Sequence, residues 1–376
     1  MRTTSIRRAA VPGIAVLALA LTACGPSSTD SGSEGGSGDS SAEASSENLS
    51  GELAIGGASS QESAQNAWIV GFGEVAPDVT VTYDPVGSGG GRENFISGAY
   101  PMAGSDSYLT DDEGELSDAT ERCNGQAPIE IPNYVSPIAV IYNLEGVDNL
   151  QLSPKTLAGI FAGKITKWND PAIAKDNPDA NLPNETITPV HRSDESGTTE
   201  NFTDYLDAVA PDVWTAGAVE TWPTEFGGEA GKSTSGVVQV VTDAPNTIGY
   251  ADASQAGGLG QASIKVGEEY VAPSPEAAAQ ILKVSPRVEE GSDVNMAVDL
   301  DHKTTEAGTY PIVLTSYLLA CQSYQDQNEA DLVKGYISYI LSDEGQQIGS
   351  EEAGSAPLPD DIRSEATSIV EKISAG

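Results

Sequence analysis

Residues 191–202 read HRSDESGTTENF. Arg192 offers a flat fork of donors suited to two oxygens of one oxyanion. Asp194, two places on, is the natural group to hold that fork still. Ser196, Gly197 and Thr198 then open a helix. A helix start leaves backbone N–H groups unpaired and carries the positive end of the dipole, so it can receive an anion. Glycine lets a ligand approach the backbone closely. The same arrangement occurs twice before: Gly57-Ala58-Ser59-Ser60 and Gly87-Ser88-Gly89-Gly90-Gly91 each follow a strand pattern and precede a helical one. Taken singly, each is an ordinary N-cap, and an arginine beside Asp194 or Glu195 is an ordinary surface pair. Three at the strand ends of one chain point to an anion site.

The competing chemistry is a secreted hydrolase with Ser196 as nucleophile and His191 as base. The chain has no G-x-S-x-G elbow and only two histidines, His191 and His302, and residues five apart around a strand-to-helix turn need not meet. GGEAGKST, residues 227–234, resembles a P-loop, but three residues separate Gly227 from Gly231 where the motif needs four. Cys123, Cys321 and the two histidines lack zinc-ligand spacing. No metal and no cofactor are expected.

The elements that must position these residues alternate along the chain. GELAIGG and VTVTYDPV read as strands, and SQESAQNAWIVGFGEVAP between them as a helix with Trp68, Phe72 and Val75 on one side. GGGRENFISG opens a helix, YPMAGSD is a strand, and IEIPNYVSPIAVIYNL is extended apolar chain. SPKTLAGIFAG is a helix with Ser153 as N-cap and Pro154 at its first position. TITPVHRS is a strand, and SGTTENFTDYLDAV is a helix whose Phe202, Tyr205, Leu206 and Val209 share one face. Later helices and the strand YPIVLTSYLLA complete an α/β pattern with parallel or mixed sheets.

At 376 residues the chain exceeds the usual single-domain size, and part of the excess is leader. Residues 1–23 join Arg2, Arg7 and Arg8 to the apolar run AAVPGIAVLALAL, as a signal peptide does. LTAC, ending at Cys24, resembles the bacterial lipobox, whose cysteine becomes the lipidated first residue. Residues 24–50 are Ser, Gly and acid without an aromatic, the composition of a flexible linker. No later stretch reaches about 18 apolar residues, the length of a membrane span. Removing the three leader arginines takes the net charge from -38 to -41. Nucleic acid and polybasic contact with anionic lipid are thereby disfavoured, and anchoring falls to acyl chains.

HRSDESGTT, with VGSGGGRENF and MAGSDSYL before it, closely resembles the phosphate-binding lipoproteins of bacterial high-affinity phosphate ABC importers. FAGKITKWNDPAIAKDNP and YPIVLTSY extend the resemblance over nearly all of residues 51–376. It implies a two-lobed periplasmic-binding-protein fold of type II, each lobe a mixed sheet flanked by helices, with the ligand in the cleft between them. Lobe 1 would comprise residues 51–138 and 304–376 and lobe 2 residues 139–303, with crossovers near VSPIAV and TYPIVL. It further implies a monomer, lipid-anchored outside the cytoplasmic membrane, that binds inorganic phosphate and delivers it to an ABC permease without acting as an enzyme. Carried over by motif, Ser59, Ser60, Ser88, Asp106, Arg192, Ser196, Gly197 and Thr198 are the implied phosphate contacts, with Asp194 behind Arg192. The chain has GASSQ where the family often has GST or GAT before an apolar residue, so Ser60 is expected to contribute its backbone N–H. Cys123 and Cys321 are an even pair, both near the crossovers, and outside the cytoplasm one disulfide is expected.

Asp106 requires a physical account. An ionised carboxylate only accepts hydrogen bonds, so in a site otherwise made of donors it demands a proton on the ligand. The protonated phosphates have one near neutral pH and sulfate does not. The bland reading of Asp106 is a cap in GSDSYLTDDEGE, an acidic and exposed turn. The high negative charge adds a constraint: local dipoles and hydrogen bonds, rather than long-range attraction, must hold the anion, and salt should affect affinity weakly.

Overall fold

The alternating apolar residues of VTVTYD and the unbroken run IEIPNYVSPIAVIYN both fold as strands, the first half-covered, the second buried along nearly its whole length. A strand buried on both faces belongs at the centre of a sheet. The computed structural model describes residues 48–111, 114–288 and 292–376; the signal peptide and Cys24 lie outside them.

In chain order the strands are β1 (Gly51–Gly57), β2 (Val79–Asp84), β3 (Ala103–Ser105), β4 (Ile129–Asn143), β5 (Gln151–Leu152), β6 (Thr188–Arg192), β7 (Glu229–Gly231), β8 (Thr247–Asp252), β9 (Gly260–Gln261), β10 (Ser263–Val266), β11 (Glu269–Val271), β12 (Val313–Ala320), β13 (Ser323–Tyr324) and β14 (Ser374–Ala375). The helices are α1 (Glu62–Val75), α2 (Ser88–Ile96), α3 (Glu115–Arg122), α4 (Pro154–Phe161), α5 (Pro171–Asp176), α6 (Gly197–Val209), α7 (Ser233–Asp243), α8 (Pro275–Leu282), α9 (Gln327–Leu341), α10 (Asp343–Ala353) and α11 (Asp360–Val370). The main sheet runs β2-β1-β3-β12-β4-β8-β6-β7, with β9 also on β4.

β4 joins the two halves of this sheet. Its residues 129–137 pair antiparallel with β12, and residues 138–143 pair antiparallel with β8. β1, β2 and β3 are parallel neighbours on one side; β8, β6 and β7 are parallel neighbours on the other. The pairing of β4 with β12 skips Asn133, between Ser316↔Tyr134 and Tyr317↔Pro132. This is a β-bulge, which bends a strand and re-aims its side chains.

Aromatic residues fill both sides. Phe72 of α1 packs on Tyr336 and Tyr339 of α9, with centroids 5.2 and 5.6 Å away. In the other half Phe202 of α6 stacks on Tyr250 of β8 at 4.3 Å. Burying each such ring stabilises the fold by roughly 1.5–3 kcal/mol. Ser153 does precede α4, but its hydroxyl bonds the Thr156 hydroxyl at 2.7 Å and caps no backbone N–H. Cys123 and Cys321 are joined, with Cα atoms 5.2 Å apart. Cys321 follows the end of β12 that pairs with Ile129, the opposite end from the Val313–Pro137 pair. The bridge therefore fastens α3 to the sheet rather than lying at the proposed crossovers.

Candidate functional site

The C-terminal ends of β1, β2, β3, β6 and β7 deliver the polar loops to one place, as strand ends do in α/β folds. Gly57 ends β1 at φ +144°, and a Cβ there would lie 1.9 Å from the Gly104 carbonyl. Only glycine allows the β1 and β3 loops to approach so closely. Gly87, at φ +99°, lies so near the Arg192 loop that a Cβ would come within 2.9 Å of Asp194 Oδ2.

Asp106 follows β3 and is 3% exposed, so the exposed-turn reading does not hold. Its Oδ2 accepts from the Ser60 hydroxyl at 2.6 Å and from the Thr198 hydroxyl at 3.0 Å. Its Oδ1 accepts from the Ser316 hydroxyl at 2.7 Å, and its backbone N–H donates to Ser88 Oγ at 3.1 Å. Ser60 therefore contributes a side-chain bond to Asp106 in addition to any role for its N–H. Burial pushes the Asp106 carboxyl up; the hydroxyls of Ser60, Ser316 and Thr198 and the charge of Arg192 oppose this without cancelling it.

Arg192 ends β6 and is 2% exposed. Nε and Nη2 donate to the two Asp194 oxygens at 2.8 and 2.5 Å, while Nη1 is buried with no hydrogen-bond partner. A buried guanidinium N–H left unpaired is costly unless a ligand takes it. Burial pushes the Asp194 carboxyl up, but Arg192 and the Ser233 N–H outweigh it and hold the carboxyl below its ordinary value.

Ser196 caps α6 by accepting the Thr199 N–H at 3.2 Å, which leaves the Gly197 and Thr198 N–H groups as first-turn donors. A Cβ on Gly197 would lie 2.6 Å from Ser107 Oγ and 2.8 Å from both Asp106 Cβ and Ser88 Oγ. Ser59 faces elsewhere: its hydroxyl bonds Thr234 Oγ1 at 2.9 Å and accepts the Thr234 N–H at 3.0 Å. The P-loop-like segment is thus a strand, Glu229–Gly231, followed through Lys232 by α7, whose first residue Ser233 has φ 62°. It supplies a fourth donor-rich helix start beside the other three.

Two further groups carry no motif in the sequence. Ser316 stands within the apolar β12, and a hydroxyl there is the one signal of its role. Arg92 of α2 is 3% exposed and donates to both Glu220 oxygens at 2.8 and 2.6 Å and to Glu115 at 2.8 Å. The bonds to Glu220, like those of Thr198 to Asp106 and Thr234 to Ser59, tie the β1–β3 loops to the β6–β7 loops.

The hydrolase arrangement does not form. His191 Nδ1 donates to the Arg192 carbonyl at 2.8 Å and its ring stacks on Trp222 at 4.9 Å. His302 bonds the Pro311 carbonyl at 2.8 Å. Among the described residues no group of three or more His, Cys, Asp or Glu is placed to hold a metal ion.

A sheet that changes partners along one central strand, with helix starts converging from both halves, is the architecture of a periplasmic-binding-protein class of molecule; the profile for the PBP superfamily domain matches residues 42–344. The chain belongs to that superfamily and, within it, to the family of phosphate-binding proteins called PstS. Phosphate-binding protein PstS2 of Mycobacterium bovis is 33% identical over 373 residues, covering 97% of this chain and 98% of the relative. PstS3 of the same organism is 34% identical over 371 residues, again covering 97% and 98%. The solved structure of a high-affinity periplasmic phosphate-binding protein, PfluDING, bound with phosphate, superposes with a TM-score of 0.69 at 20% identity, covering 85% of this chain and 93% of that one. The first two establish the family and the third the two-lobed α/β fold.

Proposed function

We propose that this protein binds inorganic phosphate outside the cytoplasmic membrane and delivers it to an ABC-type permease for import, without catalysing a reaction. The observation that carries this reading is the pairing of a buried donor, Arg192 Nη1, which lacks a partner, with the buried acceptor Asp106. Together they ask for a ligand that is an anion and yet carries a proton. The family of its relatives supports the same ligand.

In this reading Ser59, Ser60, Ser88, Arg192, Ser196, Gly197 and Thr198 supply donors around the anion, and Asp106 accepts its O–H. Ser59 acts through its backbone N–H, since its hydroxyl is engaged by Thr234; Ser196, whose N–H donates to the Glu220 carbonyl at 3.2 Å, acts through its O–H, which accepting the Thr199 N–H leaves free to donate. Residues 51–138 and 304–376 form one lobe and residues 139–303 the other, closing by hinge motion on the ligand. Supporting that division, β4 exchanges β12 for β8 between Pro137 and Ile138. Acylation of Cys24, supported by LTAC, would tether a monomer to the membrane through residues 24–50. Calorimetric titration of the ligand-stripped mature chain with phosphate tests the reading: one tight site is expected, and no heat with phosphate contradicts it.

A further inference from the structure

Behind Asp106, away from the helix starts, lies a chain of buried amides whose polarity can be worked out atom by atom. Gln61 is 0% exposed and its side chain makes four hydrogen bonds. Its Nε2 donates to the Tyr317 backbone carbonyl at 3.1 Å and to Ser316 Oγ at 2.7 Å. Its Oε1 accepts from Gln65 Nε2 at 2.8 Å and from Asn133 Nδ2 at 3.1 Å. Gln65 Oε1 in turn accepts from the Tyr336 hydroxyl at 2.8 Å.

A backbone carbonyl is an acceptor only, so the Gln61 atom facing Tyr317 O must be the nitrogen. Turning the amide over would set oxygen against a carbonyl and nitrogen against two donors. The orientation of Gln61 is therefore fixed by chemistry. Ser316 Oγ receives one of its hydrogens and has a single O–H left to give. That hydrogen goes to Asp106 Oδ1, 2.7 Å away. The bulge falls at Asn133, whose amide reaches Gln61 there.

We infer that Gln61 is a specificity-determining positioning residue: by fixing the Ser316 hydroxyl as a donor, it holds Asp106 as an acceptor and thereby excludes oxyanions that carry no proton. The inference rests on the phosphate reading above and adds to it residues that never touch the ligand. Without the Gln61 N–H, the Ser316 hydroxyl is no longer held as a donor to Oδ1 and can turn away, so the ionised form of Asp106 loses a bond that favours it. A protonated Asp106 then costs less, and its single O–H is free to donate to a fully ionised oxyanion. Burial already pushes the Asp106 carboxyl up, so removing one fixed donor shifts its balance further. The charged and titratable groups facing Asp106 are Arg192 from β6, Tyr83 from β2, Tyr134 from β4 and Asp252 from β8. Gln61→Met and Ser316→Ala leave all four unchanged.

The test measures phosphate and sulfate affinities of the mature chain, Gln61→Met, Ser316→Ala and the double variant, from about pH 5 to about pH 8, with ligand-free thermal unfolding as a folding control. The wild type should keep a constant preference. Gln61→Met should lose at least about tenfold of its phosphate-over-sulfate ratio, the order expected for one hydrogen bond to a charged group. The loss should be greatest at the acid end and shrink as Asp106 ionises. Ser316→Ala should show the same loss, and Gln61→Met should add nothing to it, since coupled residues are not additive. If Gln61→Met fails the folding control, the ratio in Ser316→Ala decides alone. An unchanged ratio with both affinities lowered equally, or additive losses in the double variant, overturns the inference while leaving the phosphate reading intact. A wild-type chain that takes up no phosphate instead overturns the phosphate reading beneath it.

Discussion

Arg192 and Asp194 meet through two hydrogen bonds, Nε to Oδ1 at 2.8 Å and Nη2 to Oδ2 at 2.5 Å, with one residue between them in the chain. The fork is held flat, and its remaining nitrogen, Nη1, is buried without a hydrogen-bond partner, the donor that the proposed phosphate site requires. Asp194 also accepts the Ser233 N–H at 3.0 Å, so it ties the Arg192 loop to the start of α7. Asp194→Asn keeps the shape but supplies a donor where Arg192 needs an acceptor. Phosphate affinity should fall by about 1.5–3 kcal/mol, with faster dissociation as the main cause. Stopped-flow release of phosphate checks this; an unchanged off-rate would contradict the clamping role.

Gly197 has no unusual backbone angle, since it is absent from the positive-φ glycines, so alanine there strains nothing by itself. Its Cβ would nevertheless come 2.6 Å from Ser107 Oγ across the seam. Gly197→Ala should therefore lower the ligand-free melting temperature only as far as the loops must part to admit the Cβ, by a few degrees at most. It should cost about 1–3 kcal/mol of phosphate affinity by holding the loops apart. Calorimetry beside thermal unfolding separates the two effects.

The Arg92–Glu220 pair is the strongest charged link between the two sets of loops, with Arg92 3% exposed. Glu220→Gln changes no proposed phosphate contact, and the Glu220 carbonyl that accepts the Ser196 N–H at 3.2 Å is kept. It should nonetheless weaken phosphate by about 2–5 kcal/mol through a faster off-rate, as truncating a buried pair does. Burial is the largest influence on Glu220, but bonds from Arg92 outweigh it and hold the carboxyl below its ordinary value. The pair's stabilisation is thus present at neutral pH and lost as pH falls through that lowered value. Affinity measured along an acid titration should drop in the wild type and stay flatter in Glu220→Gln.

Glu130 lies in β4 at 0% exposure, accepting the Leu109 N–H at 2.7 Å and bonded to Asn295. Burial pushes its carboxyl up to about 8, against the Leu109 bond and the charge of Arg92. A raised carboxyl makes the native state bind more protons than the unfolded chain. Its contribution is fully present below the unfolded value and is lost as pH rises toward about 8. Urea midpoints of the wild type should fall between mildly acid pH and pH about 8, and Glu130→Gln should show a shallower slope. The slope, rather than the absolute midpoint, is the readout.

Much of this architecture was legible because the apolar periods are strong. β1, β2, β4, β6, β12 and the helices α1, α2, α4 and α6 stand where alternation, continuous apolar runs and glycine stops place them. The helices α3, α7 and α10 were not foreseen, because ELSDATER, STSGVVQVVTD and DEGQQIGSEEA carry few apolar anchors or begin in a glycine-rich turn. At the site, local motifs marked the loops but could not show partners distant in sequence. Thr234 lies 175 residues from Ser59 and Ser316 lies 210 residues from Asp106. Burial of Asp106 was hidden for the same reason: its neighbours GSDSYLTDDEGE look solvated, while β12 and α6 supply its cover.

The central claim is that the site reads a proton on its ligand through Asp106, and the most direct measurement compares phosphate with sulfate in the wild type and Asp106→Asn at neutral pH. The wild type should bind one phosphate tightly and give no heat with sulfate. The variant, with a donor in place of the carboxylate oxygen, should bind sulfate measurably and lose roughly 1–3 kcal/mol for phosphate. Sulfate binding by the wild type, or equal exclusion of sulfate by both proteins, would contradict it.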